Sequence, residues 1–387
     1  MQKDIRVERQ SVESAGKPLV TSVVHVFNGL FPSGMERMLM SGASHSFISL
    51  DSVYLVGQGS HNPYADELRR AGYNVRIIPR ITTISGIISY VRILKSVRPS
   101  VVHIHSESTY AQAVILTKMM SRSISVLRTF HNVFHKSGLR LAYRRMVSLF
   151  VDKFVDQFVS CSPEVSDNER KLGRESKLVW NWVDDRFFEA RLEMQDESDL
   201  TVPNHEKFIM VGNCSQIKNH RLALSALKEY ASLTKSRTEL AHFGREDNAD
   251  SIESELLDWF ESKDLLLNRE ASDPLEFMKS FKPVYLMPSL HEGMSVALAE
   301  AVVLGLPAIV SNSPGQGWAG EFENVILLDL RRDSWIEALQ SAPKWNPSSL
   351  EQNVDRFKAS VGMNNYMKIY ESAAERRRIL RSRRALG

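Results

Sequence analysis

The chain has 387 residues, 43% of them hydrophobic and 25% charged, with a formal net charge of +3. That length buries a large core and favours two domains over one, and the composition is that of an ordinary soluble globular protein. The first eighteen residues are polar and charged without an apolar signal core, and no apolar run is long enough to cross a bilayer. A cytoplasmic location with a frayed N-terminus is therefore expected. Cys161 and Cys214 lack the spacing of a metal site or a disulfide framework, which reads as a reducing compartment and two small buried residues.

Short β-rich runs alternate with helix-period segments, the pattern of βα units stacked around a parallel sheet. VVHVF, SVYLVG, NVRIIP, VVHIHS, ISVLRTF and QFVSCS are the strands of the first half, with ADELRRAG and SGIISYVRILKSV among its helices. After a strand LVWNW the register starts again. FIMVGN, ELAHFG, a weaker LLLN, VYLMP, PAIVS and VILLDL alternate with NHRLALSALKEYASL, SIESELLDWFES, PLEFMKSF and SVALAEAVVLG. The fold class expected is α/β, two doubly wound Rossmann-like domains with a cleft between them. Their join falls in the polar stretch from Asp185 to Pro203, giving segments 1–18, 19–190, 191–350 and 351–387. The last is a helix, starting near Leu350, that crosses back to the first domain and ends in the basic run ERRRILRSRR.

From Lys118 to Val151 there are seven basic residues and no acid before Asp152: Lys118, Arg122, Arg128, Lys136, Arg140, Arg144 and Arg145. Arg140, Arg144 and Ser148 share one helical row, with Leu139, Met146, Leu149 and Phe150 elsewhere, so a basic amphipathic helix is expected. It reads as a solvated face, or as a patch of Lys136, Arg140, Arg144 and Arg145 attracted to an anionic membrane or a pyrophosphate-bearing acceptor. No aromatic-basic RNA signature or recognition helix accompanies the charge, so no nucleic-acid partner is expected.

The stretch SLHEGMSVALAEAVVLGLPAIVS places the turn HEGM at the carboxyl end of a strand and the start of a helix. Unpaired helix N–H groups and the helix dipole favour an anion there. Ser295 is the expected N-cap, with Leu298, Val302 and Leu306 on the apolar side. Gly293 permits close backbone approach to a ligand. Glu300, in the second turn, reads either as a solvent-facing glutamate or as a carboxylate accepting two hydroxyls of a ribose diol.

Glu292 and Glu300 in this context closely resemble the E-x7-E motif of glycosyltransferase family 4, retaining enzymes of GT-B fold that use nucleotide-sugar donors. VGNCSQIKNH resembles the family's segment after the first donor-domain strand, FPSGMERML its glycine-rich N-terminal loop, and NWVDDRFF its Asn-x-x-Asp element at the domain join. The resemblance implies that Glu300 binds the donor ribose. Glu292, with the backbone of Gly293, Met294 and Ser295, would hold the sugar and diphosphate. Lys218 would offset charge on the diphosphate, Gly34 would let its loop close over the phosphates, and His131 would lie near the reacting sugar. As an alternative, His131 is a satisfied strand-end histidine.

Asn213 stands where the family usually has an arginine, and Arg245 or a first-domain arginine could substitute. Ser33-Gly34 replaces a common pair of glycines. The activity implied is transfer of a hexose-type sugar from a UDP- or GDP-linked donor to a glycan or lipid-linked hydroxyl, with retention, in polysaccharide biosynthesis. No divalent ion or other cofactor is expected, because Lys218 and a helix N-terminus can do a metal's work on the diphosphate. A sugar-nucleotide epimerase on the same fold and a non-catalytic nucleotide-sugar-binding partner remain as alternatives. A dehydrogenase is disfavoured, because NGLFPSGMER lacks G-x-G-x-x-G.

Overall fold

The computed structural model describes residues 19–133, 138–196, 206–234 and 237–386, those at 140, 196 and 383–386 by their backbone alone. The expected frayed segment and Lys136 lie outside the described residues, as does the side chain of Arg140.

The strands are β1 (Val23–Val26), β2 (Val53–Gln58), β3 (Asn74–Ile78), β4 (Val101–Ile104), β5 (Ser125–Phe130), β6 (Gln157–Ser160) and β7 (Ser176–Leu178) in the first half. The second half has β8 (Glu206–Val211), β9 (Thr238–Phe243), β10 (Leu266–Asn268), β11 (Val284–Met287), β12 (Ala308–Ser311) and β13 (Val325–Leu328). They form two sheets, ordered β3-β2-β1-β4-β5-β6-β7 and β10-β9-β8-β11-β12-β13. All the pairings are parallel. Each sheet therefore reverses its winding once, between β1 and β4 and between β8 and β11. Such reversals open a crevice at the carboxyl ends of the strands.

The helices between them are α1 (Gly34–Gly42), α2 (Ala65–Arg70), α3 (Ile84–Val97), α4 (Tyr110–Met120), α5 (Gly138–Phe150), α6 (Pro163–Arg170) and α7 (Asp185–Asp196). Then follow α8 (His220–Thr234), α9 (Ser251–Ser262), α10 (Leu275–Phe281), α11 (Val296–Val303), α12 (Arg332–Gln340) and α13 (Ala359–Leu386). Local chemistry sets several starts. Thr83 accepts from Gly86 N at 3.1 Å to begin α3, and Asp250 with Glu253 forms a reciprocal capping box for α9. β5, β9 and β12 are buried along their whole length, as strands covered by helices on both faces must be.

Two boundaries differ from expectation for physical reasons. The strand expected over LVWNW is confined to Ser176–Leu178. Trp180 and Trp182 leave the sheet to pack: the Trp182 indole donates to Met38 O at 2.8 Å, and Trp180 lies edge-on to Trp318 and Phe357. The last helix starts at Ala359, because Pro347–Glu351 and Asp355–Phe357 form short 3-10 turns first. It returns to the first sheet, where Tyr366 OH meets Thr129 Oγ1 at 3.0 Å and Tyr370 OH meets His103 Nδ1 at 2.8 Å. In the polar join, α7 packs on α10 and α11, and Arg191 caps their side by donating to Val303 O at 2.5 Å.

Candidate functional site

The loop after β8 and the turn after β11 are laced together at the winding reversal of the second sheet. Leu290 N donates to Ile217 O at 2.8 Å, and the Asn219 side-chain amide donates to Pro288 O at 3.1 Å. Behind the turn, Ser289 O accepts from the hydroxyls of Ser311 at 2.6 Å and Ser313 at 2.7 Å. This scaffold brings Lys218 Nζ to 2.8 Å from Glu292 Oε1, both side chains facing the cleft. Ser295 caps α11 by accepting from Leu298 N at 3.3 Å, and Leu298, Val302 and Leu306 are buried.

The opposite wall is built by α1 and the end of β5. Gly34 opens α1 beside Val296, where an added Cβ would sit 3.4 Å from Val296 Cγ2, an ordinary contact. Glu36 holds the loop's shape by accepting from Phe31 N at 3.3 Å and from the Ser33 hydroxyl. Gly293 is more tightly constrained: a Cβ there would lie 1.8 Å from His131 O. The two domains thus touch where the HEGM turn meets the strand-end histidine. Asn181 adds a second clasp by donating to Met294 O at 2.9 Å.

Gly34, Arg37, His131, Asn181, Asn213, Lys218, Glu292, Met294, Ser295 and Glu300 all line this one cleft. Two helix N-termini, those of α1 and α11, open onto it, a setting that favours anions. Glu300 is 8% exposed, and burial pushes its carboxyl up to about 8 against the pull of the Arg37 guanidinium. Burial and the Arg128 guanidinium hold the His131 imidazole down at about 3, so it is neutral at physiological pH. Its Nε2 lies 2.9 Å from His105 Nδ1.

Family descriptions match both halves of the chain: "Glycosyltransferase Family 4" over residues 52–187 and "Glycosyl transferases group 1" over 194–318. The chain belongs to glycosyltransferase family 4. It is 25% identical over 309 residues to a Bacillus subtilis (strain 168) protein described as glycosyltransferase EpsF, covering 75% of this chain and 79% of that protein. It is 26% identical over 307 residues to an Escherichia coli enzyme, UDP-Gal:alpha-D-GlcNAc-diphosphoundecaprenol alpha-1,3-galactosyltransferase, covering 73% of this chain and 76% of the enzyme. Among solved structures, the Anabaena protein HepE in complex with UDP superposes with a TM-score of 0.69 at 13% identity, over 91% of this chain and 100% of its own. A Rickettsia africae glycosyltransferase gives 0.70 at 12% identity, over 91% and 98%. These likenesses agree on a GT-B fold.

Several expected residues of this glycosyltransferase lie elsewhere or act differently. Arg245 is not among the residues lining the cleft, and its guanidinium turns to Asp247 at 3.6 Å. Asn213 does line the cleft, but its side-chain oxygen accepts from Arg245 N at 2.9 Å and so shapes the loop. The second cation lining the cleft with Lys218 is instead Arg37, from the first domain. Its signal was the arginine of GMER, one helical turn into α1.

The basic helix is turned inside out. Arg144 is buried, paired with Glu169 at 2.7 Å and Glu107 at 3.5 Å, and Ser148 donates to Leu172 O at 3.0 Å. Lys118 is likewise buried on Asp156 at 3.0 Å, and Arg128 on Glu107. The outward face of α5 carries Leu139, Tyr143, Met146, Leu149 and Phe150, with Arg145 exposed among them. In the tail, Arg377 is paired with Asp156 at 2.6 Å and Arg378 with Glu375 at 2.9 Å. Arg144 satisfies carboxylates from other elements, which a helical period cannot reveal.

Proposed function

We propose that this glycosyltransferase moves a hexose-type sugar from a UDP- or GDP-linked donor to a hydroxyl of a glycan or lipid-linked acceptor, with retention and without a divalent ion. The observation that carries the reading is the cleft itself, where Lys218, Arg37 and two helix N-termini converge with Glu300 behind them. Two cations and two sets of N–H groups suit a diphosphate, whose charge grows as the glycosidic bond breaks. Glu300 suits the ribose diol on the far side of that diphosphate. Lys218 is held by Glu292 and would trade this partner for phosphate oxygen when donor binds.

In the reaction, the acceptor oxygen attacks the anomeric carbon on the face from which the phosphate departs, and a phosphate oxygen takes the acceptor's proton. The protein's part is charge stabilisation, positioning and exclusion of water by the Gly293–His131 closure. The E. coli relative is named for a lipid-diphosphate acceptor, and we take an acceptor of the same class here. A similar fold in a Neisseria meningitidis UDP-GlcNAc 2-epimerase, at 14% identity, speaks to architecture alone.

Access to such an acceptor would come through α5. Leu139 is 91% exposed, Leu149 74% and Phe150 64%, which suits an interfacial helix more than a solvated face. Membrane contact would then rest on apolar insertion, with exposed Arg145 adding attraction to anionic headgroups. No helix among the described residues is long and apolar enough to cross a membrane.

The test is incubation with UDP- and GDP-hexoses, a lipid-diphosphate-linked monosaccharide and EDTA, followed by NMR of the product. The expected result is a new glycoside with the donor's anomeric configuration, formed in the presence of EDTA. An inverted product would overturn the retaining mechanism. An altered donor sugar released without any acceptor would make the protein an epimerase.

A further inference from the structure

Four histidines gather at the carboxyl ends of β1, β4 and β5, and only His131 is used by the reading above. Their placement follows from sheet register: His25 and His103 are direct partners on β1 and β4, and His105 follows two residues after His103. His25 Nδ1 lies 2.9 Å from His105 Nε2, and His105 Nδ1 lies 2.9 Å from His131 Nε2. The rings therefore form a continuous chain that starts at the cleft, lined by His131, and runs along one side of an apolar cavity between α1 and α13 that all four histidines line.

A metal site is the obvious rival, since ligand atoms of His25, His103 and His105 lie within 4.8 Å of one another. The partners of His103 argue otherwise. Its Nδ1 faces Tyr370 OH at 2.8 Å and its Nε2 faces Thr129 Oγ1 at 2.7 Å, so both nitrogens are engaged. His25 and His105 point their nitrogens at each other, as a hydrogen bond requires and a shared ligand sphere does not.

Burial holds all three chain members neutral: His25 and His131 at about 3, and His105 well below its ordinary value. The surrounding charge reinforces this, because Arg128 acts on His131 and the tyrosines of α13 face His103 without a carboxylate. A neutral imidazole has one donor and one acceptor. In a chain joined Nδ1 to Nε2 throughout, each link then fixes the next. If His25 donates from Nδ1, His105 must accept at Nε2 and donate from Nδ1, and His131 must accept at Nε2 and carry its proton on Nδ1. The reverse case puts every proton on Nε2.

We propose that His25, His105 and His131 form one tautomeric unit, in which His105 and His25 are positioning residues that set whether His131 donates or accepts toward the donor sugar. The proposal rests on the reading that His131 faces that sugar. The atom it controls is His131 Nδ1, which is buried without a hydrogen-bond partner among the described residues. Such an orphan is the expected terminus of a chain awaiting a ligand hydroxyl. Exchange between the two states moves one proton across each link. Going from the Nδ1 state to the Nε2 state, one solvent proton is gained at His25 Nε2 and the His131 Nδ1 proton is lost to solvent or a ligand oxygen in the cleft, the reverse exchange returning both, so the chain stays neutral.

The test uses the full chain labelled with 15N-histidine and a long-range 1H–15N spectrum, with assignments from His25→Phe, His105→Phe and His131→Phe. The three rings should carry their protons on the same-named nitrogen and stay neutral from about pH 5 to about pH 8. In His105→Phe the tautomers of His25 and His131 should no longer agree. Opposite tautomers in wild-type neighbours, or a His131 spectrum unmoved in both His105→Phe and His25→Phe, would overturn the proposal. Should His105→Phe fail to fold, His105→Gln keeps one donor and one acceptor and breaks only the imidazole link. In turnover, His105→Phe should lose on the order of tenfold or more with the donor KM within about twofold, and His105→Gln should recover part of it. Full transfer activity in His131→Ala would defeat the reading of His131 itself. The spectrum decides the chain independently of that result.

Discussion

The two walls of the cleft are built from opposite materials. The second-domain wall is ionic: Lys218 on Glu292, with buried Glu300 behind a helix N-terminus. The first-domain wall, apart from Arg37, is uncharged: Ser33, Met35, His131, Asn132 and Asn181 line it, with His131 held neutral and the other imidazoles chained behind it. The difference matches the two chemistries of glycosyl transfer. A leaving diphosphate needs fixed charge, whereas a sugar hydroxyl needs direction and dryness. Arg37 is the exception that joins them, because it comes from the first domain and lines the cleft with Lys218 and Glu300.

The largest way to break this comparison is to remove charge from the ionic wall. Lys218→Ala should lower turnover about a hundredfold or more and raise the donor KM, measured by steady-state kinetics. A rate unchanged within about twofold would mean that Lys218 does not face the leaving group. The second break is steric. Gly293→Ala places a Cβ where His131 O already lies, so the walls must part. Turnover should fall on the order of a hundredfold, and small-angle scattering should show a more open particle. The thermal midpoint should move less, because neither sheet is disturbed.

A smaller effect sharpens the electrostatics. Glu300 has its carboxyl raised from about 4.5 to about 8, so the folded chain holds a proton that the unfolded chain releases between those values. Stability of the donor-free protein should therefore be greatest at the acid end of that window and decline as pH rises through it. Glu300→Gln should flatten the dependence in a thermal melt. Donor affinity should run the other way, improving toward about pH 8 as the diol-accepting carboxylate forms. The smallest effect lies outside the cleft: Leu149→Asp with Phe150→Asp should reduce flotation with anionic liposomes while leaving nucleotide binding unchanged.

The ionic wall was the legible one. Its residues are local in sequence, Glu292 and Glu300 on one turn and helix, with Lys218 just before another helix. The alternation of strands and helices was legible too, because sheets covered on both faces require uniformly apolar strands. The imidazole wall was not, since it depends on the register between strands far apart in the chain. A faint signal existed in the repeated VVH at the starts of β1 and β4. Arg144 misled for the same reason, as its partners Glu107 and Glu169 come from other elements. The role of Asn181 was hidden likewise, because its partner Met294 is 113 residues away.

The most direct test of the account is calorimetric titration of UDP and of GDP into wild-type protein, Glu300→Ala and His105→Phe, all in EDTA. One nucleotide should bind the wild type without metal, lose at least about tenfold in affinity in Glu300→Ala, and bind His105→Phe almost as well as wild type. Binding that needs a divalent ion, or that Glu300→Ala leaves intact while His105→Phe abolishes it, would contradict the division of labour between the two walls.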